Sequence, residues 1–191
     1  MFCKEMAERI DKVALEEIAI YGLPTMLHYS LSQEKGADLA KRLNADINLV
    51  RAGVALMDIK LGQASKEGYQ QQHVKYCVEY SEQLLKELNI EEPFYSILVN
   101  CVAAHHGEIS FQSIEAEIVA NADCYRFIHP RGVMSFHATV VKRGNEHDSA
   151  LKLVENKMDE KFNILSLDVV KDELVEYYRM FKKILNTAKT E

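Results

Sequence analysis

Two aspartates of this 191-residue chain stand inside apolar, helix-like segments. Asp58 follows an apolar run in "VALMDIKLG" (54–62), and Asp123 lies among small and apolar residues in "EIVANADCYRFI" (117–128). A carboxylate is almost never fully buried unless it is paired, because removing water from an ion is costly. Each aspartate therefore needs a cationic side chain, a metal ion or an exposed position.

Four histidines also lie in or at the ends of helix-like segments. His28 lies within "PTMLHYSL", His73 opens "HVKYCVEYSEQLLKEL", and His105 and His106 end the apolar stretch "CVAAHHG". Singly, each has an ordinary explanation: a core histidine is usually hydrogen-bonded, and an imidazolium near the C-terminus of a helix suits the helix dipole. Imidazole and carboxylate together form a donor set that suits Mn, Fe, Co, Ni or Zn better than Mg or Ca.

The order His, Asp, His, His-His, Asp resembles the HD domain superfamily of metal-dependent phosphohydrolases, whose ligands occur in the order H…HD…H…HH…D. The resemblance covers residues 24 to about 128 and implies an all-α fold that binds a divalent transition metal. The implied metal ligands are His28, Asp58, His73, His105, His106 and Asp123. If these ligands hold an ion, we expect Asp58 or Asp123 to orient a water molecule and His106 or Lys60 to stabilise a phosphate.

Met57 stands where the family has the histidine of its HD doublet. A thioether is a soft ligand that matches Cu(I) and not the harder ions of this chemistry, so we do not expect Met57 to replace the imidazole. If the remaining ligands still hold an ion, the protein hydrolyses a small phosphate ester or a nucleotide. If they do not, the fold serves as a ligand-binding or protein-interaction module. An iron-dependent oxygenase of the HD type ranks last, because two irons need the missing ligand most.

Three cations are candidates for contacting a phosphate. Lys60 follows Asp58 by two residues, where the family has a glycine, and it either contacts phosphate, competes with a cation or is simply solvated. Arg126 and Arg131 lie in "RFIHPRGVMSFH" (126–137) and could line the mouth of the site. The planar fork of arginine suits phosphate, so we include both as candidate substrate-binding residues.

Composition limits the classes of partner. The chain is 48% hydrophobic and 27% charged, which is typical of one globular domain. Its net charge of -6 disfavours nucleic acids and anionic membranes, so we expect a small-molecule partner. No stretch approaches the roughly 18 apolar residues of a membrane span, and the N-terminus lacks an apolar signal core. We therefore predict a cytoplasmic protein.

Periodicity predicts an all-α, single-domain bundle of about eight or nine helices, with a core over about 24–128 and a helical extension over about 131–190. The first predicted helix ends at Gly22, and the second begins at Pro24. Further helices are predicted from Asp46 to Gly62, over 73–88, from Pro93 to Gly107 and from Ser113 to just before Pro130, with a loop over 63–71. The last three are predicted over 133–142, 147–162 and 168–188. The last helix fits packing or dimerisation equally well, so a homodimer is possible.

Overall fold

Helix boundaries follow the capping and turn residues of the sequence. The computed structural model of the chain describes residues 2–190, and these form ten α-helices, one short 3-10 helix and no strand. The α-helices are α1 (Lys4–Tyr21), α2 (Met26–Arg42), α3 (Ile47–Met57), α4 (Leu61–Lys66), α5 (His73–Glu87), α6 (Phe94–Ala104), α7 (Ile114–Ile128), α8 (Pro130–Lys142), α9 (His147–Ile164) and α10 (Asp168–Ala188); Gln70–Gln72 is the 3-10 helix. The all-α class is confirmed.

The predicted caps are formed by the expected residues. Gly22 has a left-handed φ of 74° and donates its N–H to the carbonyl of Ile18, which ends α1. The Asp46 carboxylate accepts from two backbone N–H groups at the start of α3, and Ser113 Oγ accepts from Ala116 N at the start of α7. These local bonds satisfy backbone groups that a helix end leaves unpaired.

Two boundary predictions around Asp58 are wrong. Helix α3 ends at Met57 instead of running to Gly62, because Asp58 turns out of helical geometry at φ −122° and ψ 19°. The predicted loop over 63–71 is largely helical, since α4 forms directly after the turn. Gly62 allows α4 to pack closely on the end of α1, where a methyl group at this position would lie 2.5 Å from Tyr21 Cβ.

Pro130 also begins a helix earlier than expected. Helix α8 starts at Pro130, not at residue 133, with proline at its first position and His129 as its N-cap. A proline suits this position because its missing N–H would have no partner there.

Helices α3 and α7 run through the interior, and α3 contributes to two groups of apolar side chains. The first group joins α2, α3 and α7 to the C-terminal helices; it includes Leu31, Val54, Met57, Val119, Tyr125, Ile128, Leu151, Val154, Met158, Val170 and Leu174. The second joins α3 to α1, α5 and α6; it includes Ile10, Ile18, Leu49, Leu56, Cys77, Leu85, Leu98 and Val102. The predicted extension thus shares a core with α7.

Asn121 fastens the end of α9 against α7. It is fully buried, and its Nδ2 donates to Glu117 O and to Ser166 Oγ at 2.9 and 2.8 Å. Its Oδ1 accepts from the backbone N–H groups of Ser166 and Leu167, both at 3.2 Å. One side chain therefore provides hydrogen-bond partners for the segment that links α9 to α10.

Within residues 2–190, none of the helices combines the length and apolar character required to cross a membrane.

We expect Gly53→Leu to destabilise the protein. Gly53 is the point where α3 touches α6 and α7, since a methyl group there would lie 2.8 Å from Val119 Cγ2 and 3.0 Å from Cys101 Cβ. Overpacking of this kind costs about 1–3 kcal/mol in the free energy of unfolding. Urea denaturation followed by circular dichroism measures it, with the exposed Arg51→Ala on the same helix as control; equal midpoints for the two variants would contradict the close packing.

Asn121→Ala should lower the free energy of unfolding by about 2–4 kcal/mol, because the buried amide is lost and two partly buried backbone N–H groups lose their acceptor. Gln83→Ala removes an amide whose bond to Glu87 is exposed, and it should cost less than about 0.5 kcal/mol. Thermal and urea unfolding of both variants measure the difference. If Asn121→Ala lowers the free energy of unfolding no more than Gln83→Ala does, the hydrogen bonds of Asn121 do not stabilise the fold.

Candidate metal centre

Asp58 enters the interior because α3 ends one residue before it. Its side chain is 7% exposed, and its backbone forms the C-cap of α3. The turn at residues 58–60 aims the carboxylate toward α7 and α6 instead of continuing along the helix. Met57, by contrast, packs in the apolar core with Leu31 and Val54, so its thioether is part of the packing.

Asp123 and Arg126 lie one helical turn apart on α7, on the same face. Arg126 Nη1 donates to Asp123 Oδ1 at 2.7 Å and also to Asp58 Oδ2. The guanidinium is 3% exposed and thus bridges two carboxylates in the interior. Such charge-assisted bonds are the strong class of hydrogen bond.

Lys161 of α9 supplies a second buried cation. Its residue is fully buried, and its Nζ lies 2.6 Å from Asp123 Oδ2. Two carboxylates, one guanidinium and one ammonium therefore sum to zero charge. This balance is what allows four ionised groups to remain buried.

The pKa values are consistent with this balance. Burial by itself would raise the pKa of Asp58, but Arg126, followed by the nearby histidines, holds it well below its usual value. Burial likewise opposes ionisation of Asp123, and Lys161 and Arg126 outweigh it, so its pKa is also lowered. Both carboxylates are therefore ionised at neutral pH.

The imidazole rings of His73 and His105 each present their Nε2 atom to Asp58. The Nδ1 of His73 lies 2.8 Å from Gln70 O, and the Nδ1 of His105 lies 2.7 Å from Val102 O. A carbonyl oxygen only accepts, so each Nδ1 carries a proton and each Nε2 is the ring nitrogen that can offer a lone pair. These Nε2 atoms lie 3.3 Å and 3.7 Å from Asp58 Oδ1.

This arrangement leaves buried polar atoms without partners. Asp58 Oδ1 and His105 Nε2 have no hydrogen bond, although both are buried. Two lone pairs facing a carboxylate oxygen repel each other unless a cation lies between them. Burial would lower the pKa of His73, but the contact with Asp58 and its charge raise it above the usual value, so a positive charge between these two side chains, either a proton or a metal ion, is favoured.

His106 completes a cluster of three histidines. One ring nitrogen from each of His73, His105 and His106 lies within 4.8 Å of the others. Burial, followed by His105 and Lys161, lowers the pKa of His106 to about 2, so its imidazole is neutral and retains a lone pair. We name these three side chains the histidine cluster.

His28 is held apart from this cluster. Its Nε2 lies 3.2 Å from Gly132 O, so this nitrogen donates to a carbonyl and has no lone pair to offer. The ring packs edge-on to Phe127, with 5.5 Å between centroids. Burial and then Arg126 lower the pKa of His28 to about 4, which keeps it neutral.

A cavity of about 420 Å³ opens onto the site. Its floor is formed by Asp58, His73, His106, Asp123, Arg126 and Lys161, and its apolar wall by Leu23, Pro24, Phe127, Phe136, Val140 and Leu153. Arg143 and Lys157 add two further cations to the lining, while Lys157 also pairs with Glu160 at 2.6 Å. The cavity therefore combines an apolar wall with a cationic side.

Two predicted phosphate contacts lie elsewhere, which corrects the sequence-based expectation. Lys60 Nζ pairs with Glu17 at 2.8 Å, lies over the Tyr80 ring and lines a separate depression. Arg131 is exposed and pairs with Glu34 at 2.9 Å outside the cavity. Both cations lie close in sequence to site residues, but each is directed away from the cavity and pairs with a glutamate of another helix.

Lys161 is the residue that sequence reasoning missed. It follows Val154 and Met158 at helical spacing, on the apolar side of α9, and this position was the available signal. Arg126 was expected at the mouth of the site and is instead found at its floor. Its spacing of three residues from Asp123 was the signal for an ion pair.

A divalent metal fits one half of this site and not the other. The histidine cluster and Asp58 Oδ1 offer neutral imidazoles, an unpartnered carboxylate oxygen and backbone carbonyls that orient the rings. The half between Asp58 and Asp123 does not fit, because the cations of Arg126 and Lys161 already lie there. The donor set of the histidine half suits a transition metal.

Comparisons with known proteins identify the fold. No protein-family model and no curated protein matches the sequence. Bacillus subtilis YpgQ is similar in structure, with a TM-score of 0.68 and 16% identity over 96% of this chain and 93% of that one. A YpgQ complex with ADP matches with a TM-score of 0.67 and 15% identity, covering 95% of this chain and 94% of that one.

A predicted HD superfamily hydrolase from an uncultured Thermotogales bacterium is also similar, with a TM-score of 0.60 and 18% identity over 93% of this chain and 91% of that one. These likenesses span nearly the whole chain, including the C-terminal helices. The chain therefore adopts the same all-α fold as these two proteins.

Proposed function

We propose that this protein is a metal-dependent phosphohydrolase that acts on a small phosphate ester or a nucleotide. One observation carries the proposal: the Nε2 atoms of His73 and His105 converge on an unpartnered oxygen of Asp58 at the floor of a cavity. Such a set of donors is suited to a divalent cation. The similarity in fold to a predicted HD superfamily hydrolase supports the same class of reaction.

The histidine cluster and Asp58 would hold the ion, which we propose to be Mn, Fe, Co, Ni or Zn. When bound, such an ion polarises a phosphoryl oxygen and acidifies a water molecule. Gln70 O and Val102 O keep the rings of His73 and His105 in one orientation and in one tautomer. The protein therefore provides ligands that need no rearrangement.

The cationic side of the cavity would bind the phosphate. Lys157 and Arg143 line it, and Arg126 and Lys161 lie at its floor. Lys157 Nζ also lies 5.5 Å from the centroid of the Phe127 ring. A phosphate at Lys157 would therefore have an aromatic wall beside it.

A nucleotide is compatible with this cavity. Its volume of about 420 Å³ lies within the roughly 300–1,000 Å³ of typical small-molecule sites. Phe127 and Phe136 pack edge to face, with centroids 5.1 Å apart, and they offer a surface for a base. The similar protein YpgQ forms a complex with ADP. We propose a small-molecule substrate and a cytoplasmic location, without nucleic-acid or membrane partners.

The other possibilities raised by the sequence are not favoured. An oxygenase with two irons would need the half of the site that Arg126 and Lys161 fill. A binding module without an ion would leave His105 Nε2 and Asp58 Oδ1 buried and unpartnered.

His73→Gln should remove metal binding and phosphate release together. The variant deletes one of the imidazole donors, and loss of one ligand or its support commonly weakens binding by about 10–100-fold. We would strip the protein with a chelator, load it with Mn, Fe, Co, Ni or Zn, and measure bound metal by mass spectrometry. Phosphate released from p-nitrophenyl phosphate and from a nucleotide panel gives the activity.

His147→Gln is the matched control, because His147 is exposed and lies outside the cavity. It should bind metal and release phosphate as the unmodified protein does. The proposed function would be contradicted if the unmodified protein binds none of these metals, or if His73→Gln binds a metal as tightly as the unmodified protein does.

Lys157→Ala should raise KM for a phosphate substrate by about 10-fold, since a charge-assisted bond contributes about 1.5 kcal/mol or more. Lys152→Ala removes an exposed lysine from the same helix and should leave KM unchanged. Steady-state phosphate release by the metal-loaded protein measures both. Equal KM values for the two variants would place the phosphate away from Lys157.

A further inference from the structure

Three of the four carboxylate oxygens of Asp58 and Asp123 already bind cations of the protein itself. Asp58 Oδ2 and Asp123 Oδ1 share Arg126 Nη1, and Asp123 Oδ2 pairs with Lys161 Nζ. The remaining oxygen, Asp58 Oδ1, faces His73 and His105 instead. A metal ion between the two aspartates would therefore have to displace Arg126.

One ring nitrogen of His28 is already occupied. Its Nε2 donates to Gly132 O, and Gly132 is closely packed, since a methyl group there would lie 2.3 Å from Arg126 O. The first histidine of the expected ligand order is therefore bound to the backbone through this nitrogen.

Arg126 and Lys161 are also buried beside the carboxylates that neutralise them. Their side chains are 4% and 1% exposed, and each is paired with a buried carboxylate. A cation separated from its partner inside a protein is strongly destabilising. Displacement by a metal would therefore create two unpaired buried cations.

We infer that Arg126 and Lys161 are permanent internal counter-ions, which close the position between Asp58 and Asp123 to metal and confine any ion to the histidine cluster. The inference concerns the carboxylate half of the site alone. It does not depend on whether the histidine cluster binds an ion or on the reaction proposed above.

The test uses a chain without the histidine cluster, made by His73→Gln, His105→Gln and His106→Gln. We expect this chain to bind no Mn²⁺ by equilibrium dialysis and mass spectrometry. Adding Arg126→Met and Lys161→Met removes both counter-ions and should create binding of one Mn²⁺, which Asp123→Asn then abolishes. Arg131→Met with Lys152→Met is the matched control, because it removes two exposed cations and should create no binding.

Two results would overturn the inference. In the first, the chain without the histidine cluster binds Mn²⁺, and Asp123→Asn abolishes this binding. In the second, the chain that also lacks both counter-ions folds but does not bind Mn²⁺. If the multiple variants do not fold, Asp123→Asn in the otherwise unmodified protein replaces them. If Asp123→Asn leaves the metal content unchanged, the closure is supported. If it weakens the affinity for metal by about 10-fold, which is about the loss expected for a ligand, the closure is contradicted. An unmodified protein without any bound ion contradicts the proposed function and supports the closure.

Discussion

The need to neutralise two buried carboxylates governs this structure. Asp58 and Asp123 lie beside each other in the interior, where an unpaired ion is too costly to survive. Arg126 and Lys161 meet that need with two positive charges. The balance ties α3, α7 and α9 together, because each helix contributes at least one of the four charges.

The helices are packed so that these groups meet. Gly53 permits α3 to approach α6 and α7, and Asn121 fixes the end of α9 against α7. The end of α3 at Met57 then turns Asp58 into the interior. Each feature is a backbone or packing requirement, and together they place the charged groups within hydrogen-bonding reach.

Much of the fold could be predicted because helix formation depends on local features. Apolar spacing and the caps at Gly22, Asp46 and Ser113 act within a few residues, and they correctly indicated an all-α protein. The errors arose where tertiary contacts decide. The turn at Asp58 exists because that carboxylate has partners on α7, and Lys60 faces Glu17 because α4 packs against α1.

By itself, the sequence determined the helical class and the order of the imidazole and carboxylate donors, because these depend on residue type and on spacing along the chain. Only the tertiary structure decided which charges neutralise each carboxylate and which ring nitrogen faces Asp58. Arg126 and Asp58 are separated by 68 residues, and His105 owes its tautomer to a carbonyl one turn away. Ion pairs between distant helices depend on packing angles and burial, which local periodicity does not encode.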